Sequence, residues 1–153
     1  MDRAAALTRT SRATLGFSAL ARYRLWVESL VLGLVLGLVA ALGGAATVWV
    51  GWVSRENRLE SNLLIGVHTP TTHRHPEAWD AAQLAAGPME IVAGLILSAG
   101  GAVSLAVLPF DRTMSIALSL FALLAAMAFG LVAFFIGARA GRRAASQLTA
   151  GPR

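Results

Sequence analysis

The chain has 153 residues, of which 56% are hydrophobic and only 14% are charged. Soluble domains carry roughly 25% charged residues, so this composition and a mean hydropathy of +0.65 indicate a membrane protein. The absence of cysteine excludes disulfides and thiolate chemistry, and the net charge of +5 comes without the clustered basic motif that nucleic-acid binding needs. We therefore expect no nucleic-acid partner.

The chain begins with a basic arm, residues 1–25, in which five arginines are mixed with apolar side chains. Two interpretations stay open for this arm. It can form an amphipathic helix that lies along the membrane surface, or it can be a disordered basic segment.

Three apolar runs follow, at about residues 30–53, 90–108 and 113–138. Each is close to the roughly 20 residues that cross a hydrocarbon core, so we predict an all-α membrane protein with three transmembrane helices. The second and third runs are separated only by the sequence PFDR. They should form an antiparallel hairpin in which Pro109 ends one helix and Asp111 caps the next.

Small residues recur at four-residue spacing in each run, which lets helix backbones approach closely in a membrane. The first run has Gly33, Gly37, Ala41 and Ala45, the second has Gly94, Ser98, Ala102 and Ala106, and the third has Ala122, Ala126 and Gly130. We predict that these stripes pack the bundle and can support a homo-oligomer. Because no run has an ionisable residue in its interior, the pattern argues against a transporter.

The arginines near the membrane give the orientation. The segment between the first two spans and the carboxyl-terminal tail, residues 139–153, together carry more arginines than the opposite side. The positive-inside rule therefore favours a cytoplasmic location for both. Against this orientation, the five arginines of residues 1–25 would have to be translocated.

Residues 54–89 form the only sizeable loop of the predicted membrane domain, residues 26–138. Within the loop, Pro76 suits the first turn of a helix and Gly87-Pro88 suits its end. We predict a short interfacial helix from about Pro76 to Ala86. Trp79 is expected to anchor this helix in the membrane interface, with packing against the bundle as the alternative.

Three histidines, His68, His73 and His75, draw attention to a metal site. Their spacing matches no standard zinc pattern, and no nucleophile with an oriented base accompanies them. We therefore predict no metal, no other cofactor and no catalytic residue, and we expect the protein not to be an enzyme. A zinc-dependent membrane enzyme stays the least favoured hypothesis.

A more specific pattern lies in the same loop. The residues that carry it are Asn62, Gly66, Val67, Thr69, Pro70, Thr72 and Trp79. In order and spacing they resemble the signature of the SdpI family of bacterial membrane proteins, in its short three-span form. His68 stands where that family usually has arginine, which puts a role for a fixed positive charge at this position in doubt.

The resemblance implies a protein of the bacterial inner membrane with an immunity or signalling role. Its partner would be a membrane-active peptide toxin or a transcriptional regulator, and the recognition element would be residues 62–87, including Asn62, His68 and Thr69. The alternative is a non-catalytic accessory subunit of a larger membrane complex. The lipid bilayer is the one partner that both hypotheses require.

Overall fold

The computed structural model describes residues 3–56, 58, 66, 70, 72 and 75–149 of the chain, and in this part it contains three long helices. These are α1 (Arg3–Arg55), α2 (Pro76–Ala106) and α3 (Arg112–Thr149). Each contains a stretch that is long and apolar enough to cross a membrane. The described residues are thus all-helical, as predicted, with three helices that are long and apolar enough to span a membrane.

The arm at residues 3–25 is helical and continuous with the first span, because α1 runs from Arg3 to Arg55 without a break. A helix of 53 residues is about 80 Å long at 1.5 Å per residue. It is far longer than the ~30 Å hydrocarbon core, so α1 extends well beyond one side of the membrane.

The second helix occupies the centre of the bundle. Both α1 and α3 pack along α2, whereas α1 and α3 touch each other at few points. The order of packing follows the order of the chain, so that each helix lies beside its sequence neighbour. A groove between α1 and α3, which we call the seam, therefore remains open, and α2 forms its base.

Glycines set the contact between α1 and α2. Gly51, Gly44 and Gly37 of α1 face Gly87, Gly94 and Gly101 of α2, in antiparallel order. A Cβ atom added to Gly94 would lie 2.6 Å from the carbonyl oxygen of Gly44. At this separation no side chain fits between the backbones, which is the close approach that small residues permit in membranes.

The facing glycines of this contact are seven residues apart, and the predicted four-residue stripe follows the contact through Gly33, Gly37 and Ala41. Four residues advance a helix by more than one turn, so a four-residue stripe drifts around the axis, whereas a seven-residue repeat stays close to one face. Gly37, Gly94 and Ser98 lie in the contact, and the Ser98 hydroxyl donates to the Ala41 carbonyl at 3.2 Å. Ala45 is exposed, and Gly44 takes its place.

The other face of α2 meets α3 through a second set of small residues. Gly100 lies against Ala126, Gly130 lies near the carbonyl oxygen of Ala93, and Gly137 lies against Ala86 and Met89. Near the hairpin, the Ser119 hydroxyl donates to the Ser104 carbonyl at 3.3 Å. The two faces of α2 therefore carry two interleaved sets of small residues, one for each neighbour.

The hairpin connection has the predicted form. Helix α2 ends at Ala106, three residues before Pro109. The predicted end of this span, Leu108, lies two residues further on. The Asp111 carboxylate accepts a hydrogen bond from the backbone N–H of Thr113 at 3.1 Å, which satisfies a free donor in the first turn of α3. The short link thus ends one helix and caps the next.

The prediction that Gly87-Pro88 ends a short interfacial helix is wrong. Helix α2 begins at Pro76, as expected, but continues through Pro88 to Ala106. Pro88 removes one backbone donor, a loss that neighbouring helices can offset in a membrane protein. Since Ala86, Gly87 and Glu90 around it are buried against both neighbours, packing holds the helix together across this position.

Candidate recognition site

The first three turns of α2 form the base of the candidate site. One face of these turns is buried and includes Ala78, Trp79, Ala82, Gln83 and Ala86. Three- and four-residue spacing places these side chains on a common face. Most of them are small, which lets a neighbouring helix approach closely.

That neighbour is the carboxyl-terminal part of α3. Ala145 is buried in one cluster with Ala78, Ala82 and Ala86, and Gly141 is buried one turn earlier. Helix α3 thus continues beyond its apolar run to Thr149 and is packed against α2 as far as Ala145. The bundle extends past the apolar spans on the side of the loop.

The loop itself reaches this base at Gly66. Its φ is +118°, a conformation that residues with side chains rarely adopt. A Cβ atom at this position would lie 2.6 Å from the outer edge of the Trp79 ring and would collide with the Gln83 amide. Glycine is therefore required here both by backbone conformation and by space.

Trp79 is 3% exposed, so it lies inside the fold and not in the membrane interface. The alternative interpretation, packing against the bundle, describes its position. An indole ring under a glycine with no side chain gives a large apolar contact at low conformational cost. Trp79 and Gly66, two residues of the sequence pattern, are thus brought together.

Gln83 lies next to them with its side chain 1% exposed. Among the described residues, neither its amide nitrogen nor its amide oxygen has a hydrogen-bond partner. A buried polar group without a partner costs on the order of 1–3 kcal/mol, so the contacts around Gln83 must offset the cost of burying its amide. The amide is the most polar group at the centre of the site.

Two turns further along the same face, Glu90 is 6% exposed. The Ser54 hydroxyl of α1 donates to its carboxylate at 3.4 Å. The contacts of Gly87 and Gly94 place Glu90 level with about Val48 of α1. This position lies about five residues, or roughly 7.5 Å, inside the apolar run of α1.

The backbone of Glu90 therefore lies opposite the apolar run of α1, while its carboxylate reaches back to Ser54, the first residue beyond that run. The sequence likewise places Glu90 at the edge of the second apolar run. The Ser54–Glu90 pair adds a buried polar contact between α1 and α2 next to the site.

The remaining residues of the pattern are placed as follows. Thr72 is buried and Pro70 is exposed, whereas Asn62, His68 and Thr69 lie outside the described residues. His75 is exposed at the N-cap of α2, with no side-chain hydrogen bond to the helix. The predicted packing residue Gly33 lies near Leu108, at the opposite end of the bundle.

Histidine and carboxylate side chains do not gather into a metal site in the described part of the chain, where no group of three or more could hold an ion. His73 and His68 are outside that part. Around the site the exposed charges are mainly arginines, with Arg58 paired to Glu56 at 3.2 Å. Arg139, Arg142 and Arg143 are exposed on α3.

Sequence reasoning missed Gln83, Glu90 and Ala145 as parts of this site. Gln83 and Trp79 share a helix face by their spacing, but the depth of that face depends on α3. Ala145 looks like an ordinary alanine in a basic tail. A signal was present in the small residues Gly137, Gly141 and Ala145, which repeat every four residues and begin seven residues after Gly130.

Comparison with known families covers this same region. The model of the SdpI/YfhL protein family matches residues 58–138, which is more than half of the chain and includes the loop, α2 and most of α3. No match was found among curated proteins or among solved structures. The chain belongs to the SdpI/YfhL protein family.

Proposed function

We propose that this membrane protein has an immunity or signalling role and that residues 62–87 are its recognition element. The observation that carries the proposal is the seating of Gly66, a residue of the SdpI pattern, directly on Trp79 and Gln83. The loop is thereby joined to a rigid extension of the bundle. A recognition element needs such support to hold its exposed residues in a fixed geometry.

The exposed part of this element is separate from its buried support. Pro70, His75 and Glu77 are exposed, and so is Leu84 on the outer face of α2. A partner would contact these side chains, while Trp79 and Gln83 hold the loop from beneath. Partner contact and structural support can therefore be changed independently.

The same side of the bundle exposes Arg55, Arg58, Arg139, Arg142 and Arg143. By the positive-inside rule we place this side in the cytoplasm of a bacterium, and the protein in its inner membrane. A cytoplasmic recognition element favours recruitment of a transcriptional regulator over direct contact with a peptide toxin outside the cell. The protein acts without catalysis or cofactor in this proposal.

The test is affinity capture from native membranes, followed by quantitative mass spectrometry of what is retained. Pro70→Ala removes an exposed residue of the loop without touching the buried support. Phe110→Ala is the matched control, because Phe110 is also exposed but lies in the hairpin at the opposite end. Both variants should insert to the same level as the natural chain.

We expect Pro70→Ala to reduce the captured partner by at least tenfold and Phe110→Ala to leave it unchanged within twofold. An equal amount of the same partner with both variants would contradict the proposal. A partner lost with Phe110→Ala and kept with Pro70→Ala would place recognition at the hairpin instead.

A second candidate is a non-catalytic accessory subunit of a larger membrane complex. The observation in its favour is that α1 packs on one side only. Just 6% of its most apolar 18-residue stretch is buried within the chain. A larger assembly would cover more of this helix. Purification in a mild detergent would support the candidate if stable partner subunits remain bound, and a lone monomer or homodimer would remove its support.

A further inference from the structure

The seam between α1 and α3 opens into a cavity near the hairpin. The cavity measures about 180 Å³ and is lined by α1 from Trp26 to Leu36, by Leu108 below, and by α3 from Ser115 to Leu123. It arises because α1 and α3 both pack on α2 but hardly on each other. A second cavity of about 260 Å³ lies along the same seam, between Thr47 and Phe134.

The lining changes in polarity along the cavity. Ser29 and Ser115 lie near the starts of the first and third spans, together with the indole ring of Trp26. Leu36 and Leu123 line the part that is nearer the membrane centre. Tryptophan and hydroxyl groups suit the level of lipid headgroups and esters, whereas leucines suit acyl chains. The lining therefore changes from polar to apolar in the same direction as a phospholipid, whose headgroup lies at the membrane surface and whose acyl chains point to the membrane centre.

The lining of the cavity is mostly apolar, and the cavity is open on one side. A flexible apolar chain from the surrounding bilayer can therefore enter it and contact the lining atoms.

Charged residues at the hairpin end of the cavity are already engaged with partners in the protein. Arg24 is paired with Glu28 at 2.9 Å, and the Asp111 carboxylate is engaged at the start of α3. Arg24 is thus already paired, so we expect an anionic headgroup to gain little from it. Discrimination between headgroups should be weak.

We propose that the seam between α1 and α3 is a binding site for one acyl chain of a bilayer phospholipid. The chain lies over α2 with its ester end near Ser29 and Ser115 and its tail along Leu36 and Leu123. It fills a gap whose lining atoms otherwise lack contacts on one side. The bound lipid joins α1 to α3, which the protein alone does only sparsely.

The test uses protein reconstituted in vesicles of equal parts phosphatidylethanolamine and phosphatidylglycerol, extracted in mild detergent and weighed by native mass spectrometry. The natural chain should retain one lipid. The retained amounts of phosphatidylethanolamine and phosphatidylglycerol should differ by less than twofold. Leu36→Trp should fill the cavity and reduce the retained lipid at least fivefold. Leu38→Trp is the matched control, because Leu36 and Leu38 are 42% and 43% exposed but only Leu36 lines the cavity.

A second pair on the opposite wall protects the test against a variant that fails to fold. Leu120→Trp, which lines the cavity, should act like Leu36→Trp, and Leu118→Trp, which does not, should act like the natural chain. No retained lipid in the natural chain, or equal loss in all four variants, would overturn the proposal. A dimer that Leu36→Trp and Leu120→Trp dissolve would assign the seam to a second copy instead.

Discussion

The two ends of the bundle are built differently. At the loop end Ala145 of α3 is buried among alanines of α2, and Trp79 and Gln83 of α2 are buried beneath Gly66. At the hairpin end Trp26 and Phe110 are exposed and the seam stays open. The loop end therefore depends on particular side chains, while the hairpin end depends mainly on being apolar and short. Substitutions should cost more at the loop end.

The largest difference is expected between two tryptophans. Trp79→Ala should lower the free energy of unfolding by about 3–5 kcal/mol, since it leaves a cavity beneath Gly66. Trp52→Ala should change it far less, because Trp52 is 54% exposed and faces outward. Reversible unfolding of both variants in bicelles measures the two values. Equal losses would show that Trp79 is not packed as described.

A smaller effect is expected at Gly66. Gly66→Ala should cost about 1–3 kcal/mol, because alanine is strained at this φ and its methyl group meets Trp79 and Gln83. Gly43→Ala is the control, since no atom lies within 4 Å of a Cβ atom there and the backbone is helical. Unfolding in bicelles should show Gly43→Ala to be neutral or stabilising. A neutral Gly66→Ala would refute the contact.

The smallest effect is expected at the hairpin end. Asp111→Ala removes the cap of α3 and should cost about 1 kcal/mol. Asp111→Asn should restore most of this loss, because its side-chain oxygen can accept the same hydrogen bond from Thr113. The same unfolding experiment serves here. A loss as large as that of Trp79→Ala would mean that the hairpin end is as specific as the loop end.

Local features of the sequence were sufficient to predict the spans and the hairpin. Apolar run length determines the crossing of a membrane, and Pro109 and Asp111 act on their own neighbours. The family pattern likewise is a matter of order and spacing, and it identified the loop. These features depend on nothing distant in the chain.

The rest depended on how the helices meet. Pro88 looks like the end of a helix until α1 and α3 pack on both of its flanks. Glu90 looks like an exposed boundary residue until the register of Gly94 against Gly44 buries it beside Ser54 of α1. The burial of Gln83 likewise depends on Gly66, which lies against it from the loop. Periodicity along one helix contains no information about the partner of each face.

The SdpI pattern rests on a packed continuation of the bundle, in which α2 and α3 meet beyond the apolar spans. Because the chain has no cysteine, paired cysteines report this contact directly. Ala78→Cys with Ala145→Cys should form a disulfide rapidly under mild oxidation in native membranes, since both residues belong to one buried cluster. Leu84→Cys with Leu148→Cys, both at exposed positions, should not. Equal and slow crosslinking of the two pairs would contradict the account.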